Sequence, residues 1–169
     1  MLFRSAFQEY FVKLRQEPEV LEADFSAAAA SPPAPGVLES LREAQGIILA
    51  PSNPVLSLGP ILAVQGVREA LQATAAPVAA ISPIVGGKAL KGPADRNLKS
   101  LGMEASAIAV AELYRDFLDI FVMDSQDVSQ GKEVEQQGLR AVVVNTVMSS
   151  PGIAQELART VLAALQTSR

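Results

Sequence analysis

Cysteine and histidine are both absent from the 169 residues. Without cysteine there is no disulfide, no thiolate zinc site and no thiol nucleophile. Without histidine, Ser-His-Asp catalysis and imidazole metal sites are excluded too. Any metal this chain helps to hold must be a hard cation on oxygen ligands, such as magnesium. Tryptophan is missing as well, and aromatics make up only 5% of the chain, so the core must be built from Ala, Val, Leu and Ile. Excess positive charge is lacking: the net charge is −4 and the pI about 4.9. That argues against a general nucleic-acid binder, while leaving room for a local cationic pocket for one small anion. No apolar run approaches the roughly 18 residues of a membrane span. Met1-Leu2-Phe3-Arg4 does not continue into a secretion signal, so a cytoplasmic protein is expected.

What is present fits one compact α/β domain over residues 1–169, with 49% hydrophobic residues. Phe7, Tyr10, Phe11 and Leu14 recur at helical spacing, predicting an amphipathic helix over Ala6–Leu14 that Pro18 ends. Val20–Phe25 alternates apolar and acidic residues and reads as a short strand. Residues 26–36 form an Ala/Pro-rich loop, and Gly36–Ala44 a short helix. A unit then repeats. Four short apolar runs, Gly46–Ala50, Val78–Ile81, Ile120–Met123 and Ala141–Val144, are each followed by a polar or glycine-bearing loop and a helical pattern. Val110, Leu113, Tyr114, Phe117 and Leu118 form one helical face, and Ile153, Leu157, Val161 and Leu165 another. Strand, loop and helix in alternation predict a Rossmann-like parallel sheet with flanking helices. In such sheets ligands sit beyond the carboxyl ends of the strands, so the loops after the four runs are the candidate site.

In the first loop, Ser52, Asn53 and Ser57 offer small hydrogen-bonding groups, and Gly59-Pro60 looks like a helix start. Such a helix end would aim free N–H groups at the loop as an anion site; an ordinary capped turn is the equal alternative. The second loop, Ser82 to Arg96, pairs Gly86-Gly87 with three cations, Lys88, Lys91 and Arg96, in an otherwise acidic chain. The glycines would let backbone amides approach a ligand and the cations would hold a diphosphate. A solvated basic turn, with Asp95 capping a helix or pairing with Arg96, is the other reading. No Walker motif occurs. Asp124 and Asp127 follow the third run, placed either to bind magnesium or a base edge or, the favoured reading, to cap the next helix.

Several of these segments resemble the 2-phospho-L-lactate transferase and phosphoenolpyruvate transferase family of coenzyme F-420 biosynthesis. They are Phe7-Gln8-Glu9-Tyr10-Phe11-Val12, Pro51-Ser52-Asn53-Pro54, Ser57-Leu58-Gly59-Pro60-Ile61-Leu62, the run from Ser82 to Arg96, Ala109–Leu118, Phe121-Val122-Met123-Asp124 and Asn145-Thr146-Val147-Met148. The resemblance implies transfer of a phospholactyl or phosphoenolpyruvyl group from a guanosine diphosphate conjugate to the deazaflavin precursor Fo, with release of GMP and assistance from magnesium. In that frame Lys88, Lys91 and Arg96 would clamp charge. Ser52, Asn53, Ser57 and the backbone of Gly86 and Gly87 would grip phosphate or guanosine, with Gly59 and Asp95 completing the candidate set.

The resemblance implies that the chain corresponds to the C-terminal half of the family's fold, so the sheet is expected to be incomplete. The resemblance places a first strand, a glycine-rich loop and acidic residues for deazaflavin and metal in the other half. The catalytic residues are therefore unassigned here, turnover by this chain alone is not expected, and exposed apolar surface predicts a homo-oligomer. The alternative is a non-catalytic module that binds a nucleotide or nucleotide sugar.

Overall fold

The computed structural model describes residues 4–167. Four strands, β1 (Ile47–Leu49), β2 (Val78–Ile81), β5 (Ile120–Asp124) and β6 (Arg140–Val144), form one sheet in the order β1-β2-β5-β6, and every pairing is parallel. The register aligns Ile48 with Ala79, Ala80 with Phe121 and Val122 with Val142. All of β2 and β5 is buried, as continuously apolar strands require when both faces are covered.

The two faces are covered unequally. Leu49, Val78, Ala80, Phe121 and Met123 pack against helices α4 (Val67–Ala73), α5 (Ala94–Ser100), α6 (Ala107–Tyr114) and α7 (Gly131–Gln136). The connections between successive strands thus all lie on this face. Ala79, Ile81, Ile120 and Val122 face the other way and pack against α8 (Pro151–Gln166), through Leu157, Val161, Ala164 and Leu165. Three of these four α8 residues continue the i, i+4 stripe read in the sequence. Ser150 caps the helix by accepting from the Ile153 amide.

Between α4 and α6, Arg68 donates from Nε and Nη2 to Asp116, and its guanidinium lies 5.1 Å from the Phe117 ring centroid. The Asp116 carboxyl is held below its ordinary value by this hydrogen bonding. The Tyr114 ring lies against that of Phe117, tilted by 39° with centroids 5.8 Å apart. Its hydroxyl is buried without a hydrogen-bond partner, and that burial pushes the phenol's pKa up against the opposing pull of Arg68.

Four features differ from the expectations. Val20–Phe25 forms no strand, since no neighbouring backbone pairs with it. Residues 26–36 are not wholly loop: Ser26–Ala29 makes a helical turn, α1, which packs on α3 (Gly59–Ala63). The first helix is largely a π-helical turn, Glu9–Lys13, and it ends before Pro18. Its end is a left-handed pair, Arg15 (φ 50°) and Gln16 (φ 61°), a conformation that L residues enter only when held there. Finally, the second loop contains a hairpin, β3 (Ile84–Val85) and β4 (Lys88–Ala89), where loop alone is expected.

Candidate functional site

The parallel order brings the four strand ends to one edge of the sheet, and side chains tie the loops there to one another. The ties begin at Asn53. Its Oδ1 accepts from the Val55 and Leu56 amides, 2.9 and 3.0 Å, capping the π-helical turn Pro54–Leu58. Its Nδ2 donates to Oδ1 of Asn97, 2.9 Å away on α5. Asn97 is 1% exposed, and its own amide reaches the Tyr10 hydroxyl at 3.5 Å. Arg96 donates from Nη2 to the Gln16 carbonyl at 3.0 Å, and the Tyr10 hydroxyl donates to that carbonyl too. The left-handed turn at Arg15–Gln16 is thereby fastened to the helix that follows the basic loop.

The hairpin is fixed from the other side. Gly86 and Gly87, at φ 57° and 78°, make the two-residue turn that favours positive φ in both positions. The Gly86 amide donates to both carboxylate oxygens of Asp127, at 3.2 and 3.1 Å, across 41 residues of sequence. Asp127 is 2% exposed and also accepts from Gln130.

Asp124, at the end of β5, joins the last two loops. One oxygen accepts from the Gln126 amide at 3.0 Å and the other from the Thr146 amide at 2.8 Å and the Thr146 hydroxyl at 3.2 Å. Burial, at 1% exposure, acts to raise the pKa of this carboxyl, but the donors aimed at its charged form outweigh it. The group lies below the ordinary aspartate value and is ionised at neutral pH.

These contacts sort the candidate residues. Ser52 and Ser57 line the first loop, and neither hydroxyl makes a hydrogen bond among the described residues. Asn53 is committed to its cap and to Asn97. α3 begins at Gly59, as the Gly59-Pro60 pair suggests, but it runs on directly from the π-helical turn that starts at Pro54, so Gly59 is not a separate helix end facing the loop. Gly59 instead serves packing, because a Cβ there would sit 2.8 Å from the Phe25 ring. The Gly86 amide is spent on Asp127 and is not free to grip phosphate. Lys88 and Lys91 are exposed and pair with no carboxylate among the described residues. Arg96 is exposed and anchored through one nitrogen only. Asp95, in the first turn of α5, neither caps the helix, whose cap position is Pro93, nor forms an ion pair with Arg96.

Asp124 caps the 3-10 segment Ser125–Gln130, in line with the favoured reading, whereas Asp127 is a staple between loops rather than a cap. With their oxygens taken by protein donors, these two carboxylates do not fit a magnesium site. No group of three acidic side chains able to hold a metal occurs among the described residues. Asn97 and Gln16 have no sequence signal, and Tyr10 carries only that of a helical apolar face, since their partners lie as far as 87 residues away. What remains open toward solvent is a short cationic segment, Lys88 and Lys91 with part of Arg96, and, in the first loop, two serine hydroxyls with no hydrogen bond among the described residues. α5 packs against both β4 and the Pro54–Leu58 turn, which links the two.

A family model described as 2-phospho-L-lactate transferase CofD matches residues 4–164. The chain is 42% identical over 164 residues to a phosphoenolpyruvate transferase of Kitasatospora aureofaciens, covering 96% of this chain and 51% of that protein. It is 38% identical over 161 residues to a 2-phospho-L-lactate transferase of Methanosarcina barkeri, covering 95% and 52%. To the enzyme of that same name in Methanothermobacter thermautotrophicus it is 40% identical over 156 residues, covering 92% and 49%. The chain thus spans about half the length of the curated relatives it matches.

Proposed function

Because the chain belongs to the 2-phospho-L-lactate transferase family, we propose that it supplies the nucleotide-gripping half of a transferase. The enzyme would move a phospholactyl or phosphoenolpyruvyl group from a guanosine diphosphate conjugate to the deazaflavin precursor Fo. The acceptor hydroxyl oxygen attacks the phosphorus that bears the organic group, the bond to the bridging diphosphate oxygen breaks, and GMP leaves. Such chemistry rests on positioning and charge neutralisation rather than on a histidine or cysteine. The chain contains neither.

The observation that carries this reading is the pair Lys88 and Lys91. Both stand exposed at the strand-end edge of an acidic chain, with no carboxylate partner among the described residues, Lys88 on a hairpin whose turn is fixed by Asp127 and Lys91 two residues beyond it. A diphosphate needs mobile cations on a rigid mount, and that is what this segment offers. Lys88 and Lys91 neutralise the phosphate oxygens, Arg96 adds its remaining donors, and Ser52 and Ser57 offer hydroxyls from the neighbouring loop. Magnesium belongs to the reading as well, with ligands supplied by the rest of the enzyme, since no group of three acidic side chains able to hold a metal occurs among the described residues.

Calorimetry with GDP tests the grip. The parent chain should bind, and Lys88→Ala should weaken binding about ten- to a hundred-fold, as loss of a charge-assisted contact of about 1.5–3 kcal/mol implies. Lys132→Ala, on the exposed side of α7, should leave affinity unchanged. Equal affinity in Lys88→Ala and the parent would place the site elsewhere.

A further inference from the structure

A carboxylate buried with no cation beside it needs a reason, and Asp127 is such a group. It is 2% exposed, and no Lys or Arg pairs with it among the described residues. Burial of this kind is costly unless the oxygens are fully used. The ordinary uses of an aspartate in this place are closed. The cap of the 3-10 segment Ser125–Gln130 is Asp124, one turn earlier. No group of acidic side chains able to hold a metal occurs among the described residues. The oxygens of Asp127 serve the Gly86 amide and the Gln130 side chain instead.

The hairpin that Asp127 holds cannot keep its own shape. β3 and β4 have two residues each, far fewer than a free hairpin needs. Two glycines in succession also make the most flexible turn a chain can have. The structure fixes this turn at three points. At its root, the buried Ser82 hydroxyl donates to the Ile84 carbonyl at 2.9 Å and accepts from the Ile84 amide at 3.1 Å. At its side, Gly87 lies close to the Ala105 carbonyl, 3.6 Å from where a Cβ would stand. At its tip, the Gly86 amide donates to both oxygens of Asp127. Asp127 is braced in turn. Gln130 donates to it from Nε2 at 3.2 Å, and Gln130 Oε1 accepts from the Ile108 amide, at the start of α6, at 3.3 Å. The turn is thereby tied to α6 and to the segment after β5. Lys88 is the next residue in the chain, so whatever sets the turn sets where the Lys88 backbone stands.

We infer that Asp127 is a positioning residue for nucleotide binding: it freezes the Gly86-Gly87 turn so that Lys88 meets a diphosphate from a fixed mount, and it touches no ligand itself. The entropy of ordering a two-glycine loop is then lost when the protein folds and not when the ligand arrives, which raises affinity without any added contact. The inference rests on the grip proposed for Lys88 and supplies the device that aims it.

Calorimetry with GDP on the full chain tests it, with circular dichroism to confirm that each variant is folded. Asp127→Asn keeps the size of the side chain but replaces one acceptor oxygen by an NH2. It should weaken GDP binding about three- to ten-fold. In a Lys88→Ala background the same change should cost almost nothing further, because the two residues act as one. A rescue separates aiming from plain support of the fold. Gly86→Asn makes the turn Asn-Gly, the pair that takes this conformation by itself. Its Cβ has room, 3.4 Å from Oε1 of Gln126. Added to Asp127→Asn, it should restore most of the lost affinity. Should Asp127→Asn not fold, Gln130→Ala loosens the brace and should show a smaller loss that again vanishes without Lys88. Unchanged affinity in the folded variant, a loss of equal size with and without Lys88, or no rescue by Gly86→Asn overturns the inference and leaves the Lys88 grip standing. A parent chain that does not bind GDP removes the grip, and the inference with it.

Discussion

Asp124 shows how one buried charge can organise a strand-end edge. Its carboxylate gathers the Gln126 amide and both donors of Thr146, so two loops depend on it. Its pKa is depressed in the folded state, so its stabilisation is complete above the unfolded value and is lost as pH falls through the folded one. Asp124→Asn sets an amide NH2 against donors. It should cost about 2–3 kcal/mol near neutral pH, the scale of hydrogen bonds to a charged group. The gap between variant and parent should narrow below the ordinary aspartate value of 3.8, as the parent's own carboxyl takes up its proton. Urea unfolding at pH 7 and pH 3 checks both points; equal stability at pH 7 would show that the charge is not used. This cap was readable from Asp124 following an apolar run. The Asp127 staple was not, because nothing local to Asp127 announces a partner 41 residues earlier.

Among the elements, the turn Pro54–Leu58 and helix α5 stand or fall together through Asn53 and Asn97. Asn53→Ala removes a helix cap worth about 0.5–2 kcal/mol. It also leaves the buried Asn97 oxygen without a donor, a further cost of about 1–3 kcal/mol. A combined loss of about 2–4 kcal/mol is expected in chemical denaturation. Asn53→Asp keeps the cap and loses only the link, so it should fall between parent and Asn53→Ala. If Asn53→Asp is as damaging as Asn53→Ala, the link and not the cap dominates. The helix start expected at Gly59-Pro60 is met by α3, which there runs on from the turn that Asn53 caps, and Gly59 is also wanted for its missing Cβ against Phe25.

For the molecule as a whole, the open β1 edge has a consequence even when nothing else is present. A bare apolar edge strand templates pairing with any available strand. The isolated chain should therefore self-associate weakly as its concentration rises, as light scattering would show. Ile48→Lys places a charge on that edge without disturbing the buried core and should abolish the effect. Association undiminished in Ile48→Lys would assign it to another surface, such as the exposed ring pair Phe7 and Phe11.

The sequence alone determined the four parallel strands, the helix α8 and the cationic segment. Each is written in local signals: continuous apolar runs of strand length, a stripe at i, i+4, and charge density in an acidic chain. It also ruled out thiol and imidazole chemistry by composition. Only the tertiary structure decided which candidates are free and which are spent. Gly86, Asn53 and Asp127 carry the residue types of a binding loop, yet each is consumed by a partner 41 or 44 residues away. The hairpin β3–β4, the left-handed turn at Arg15–Gln16 and the unequal covering of the two sheet faces are of the same kind. They arise from contacts between segments distant in sequence, and such contacts leave no periodicity or spacing in the chain to be read.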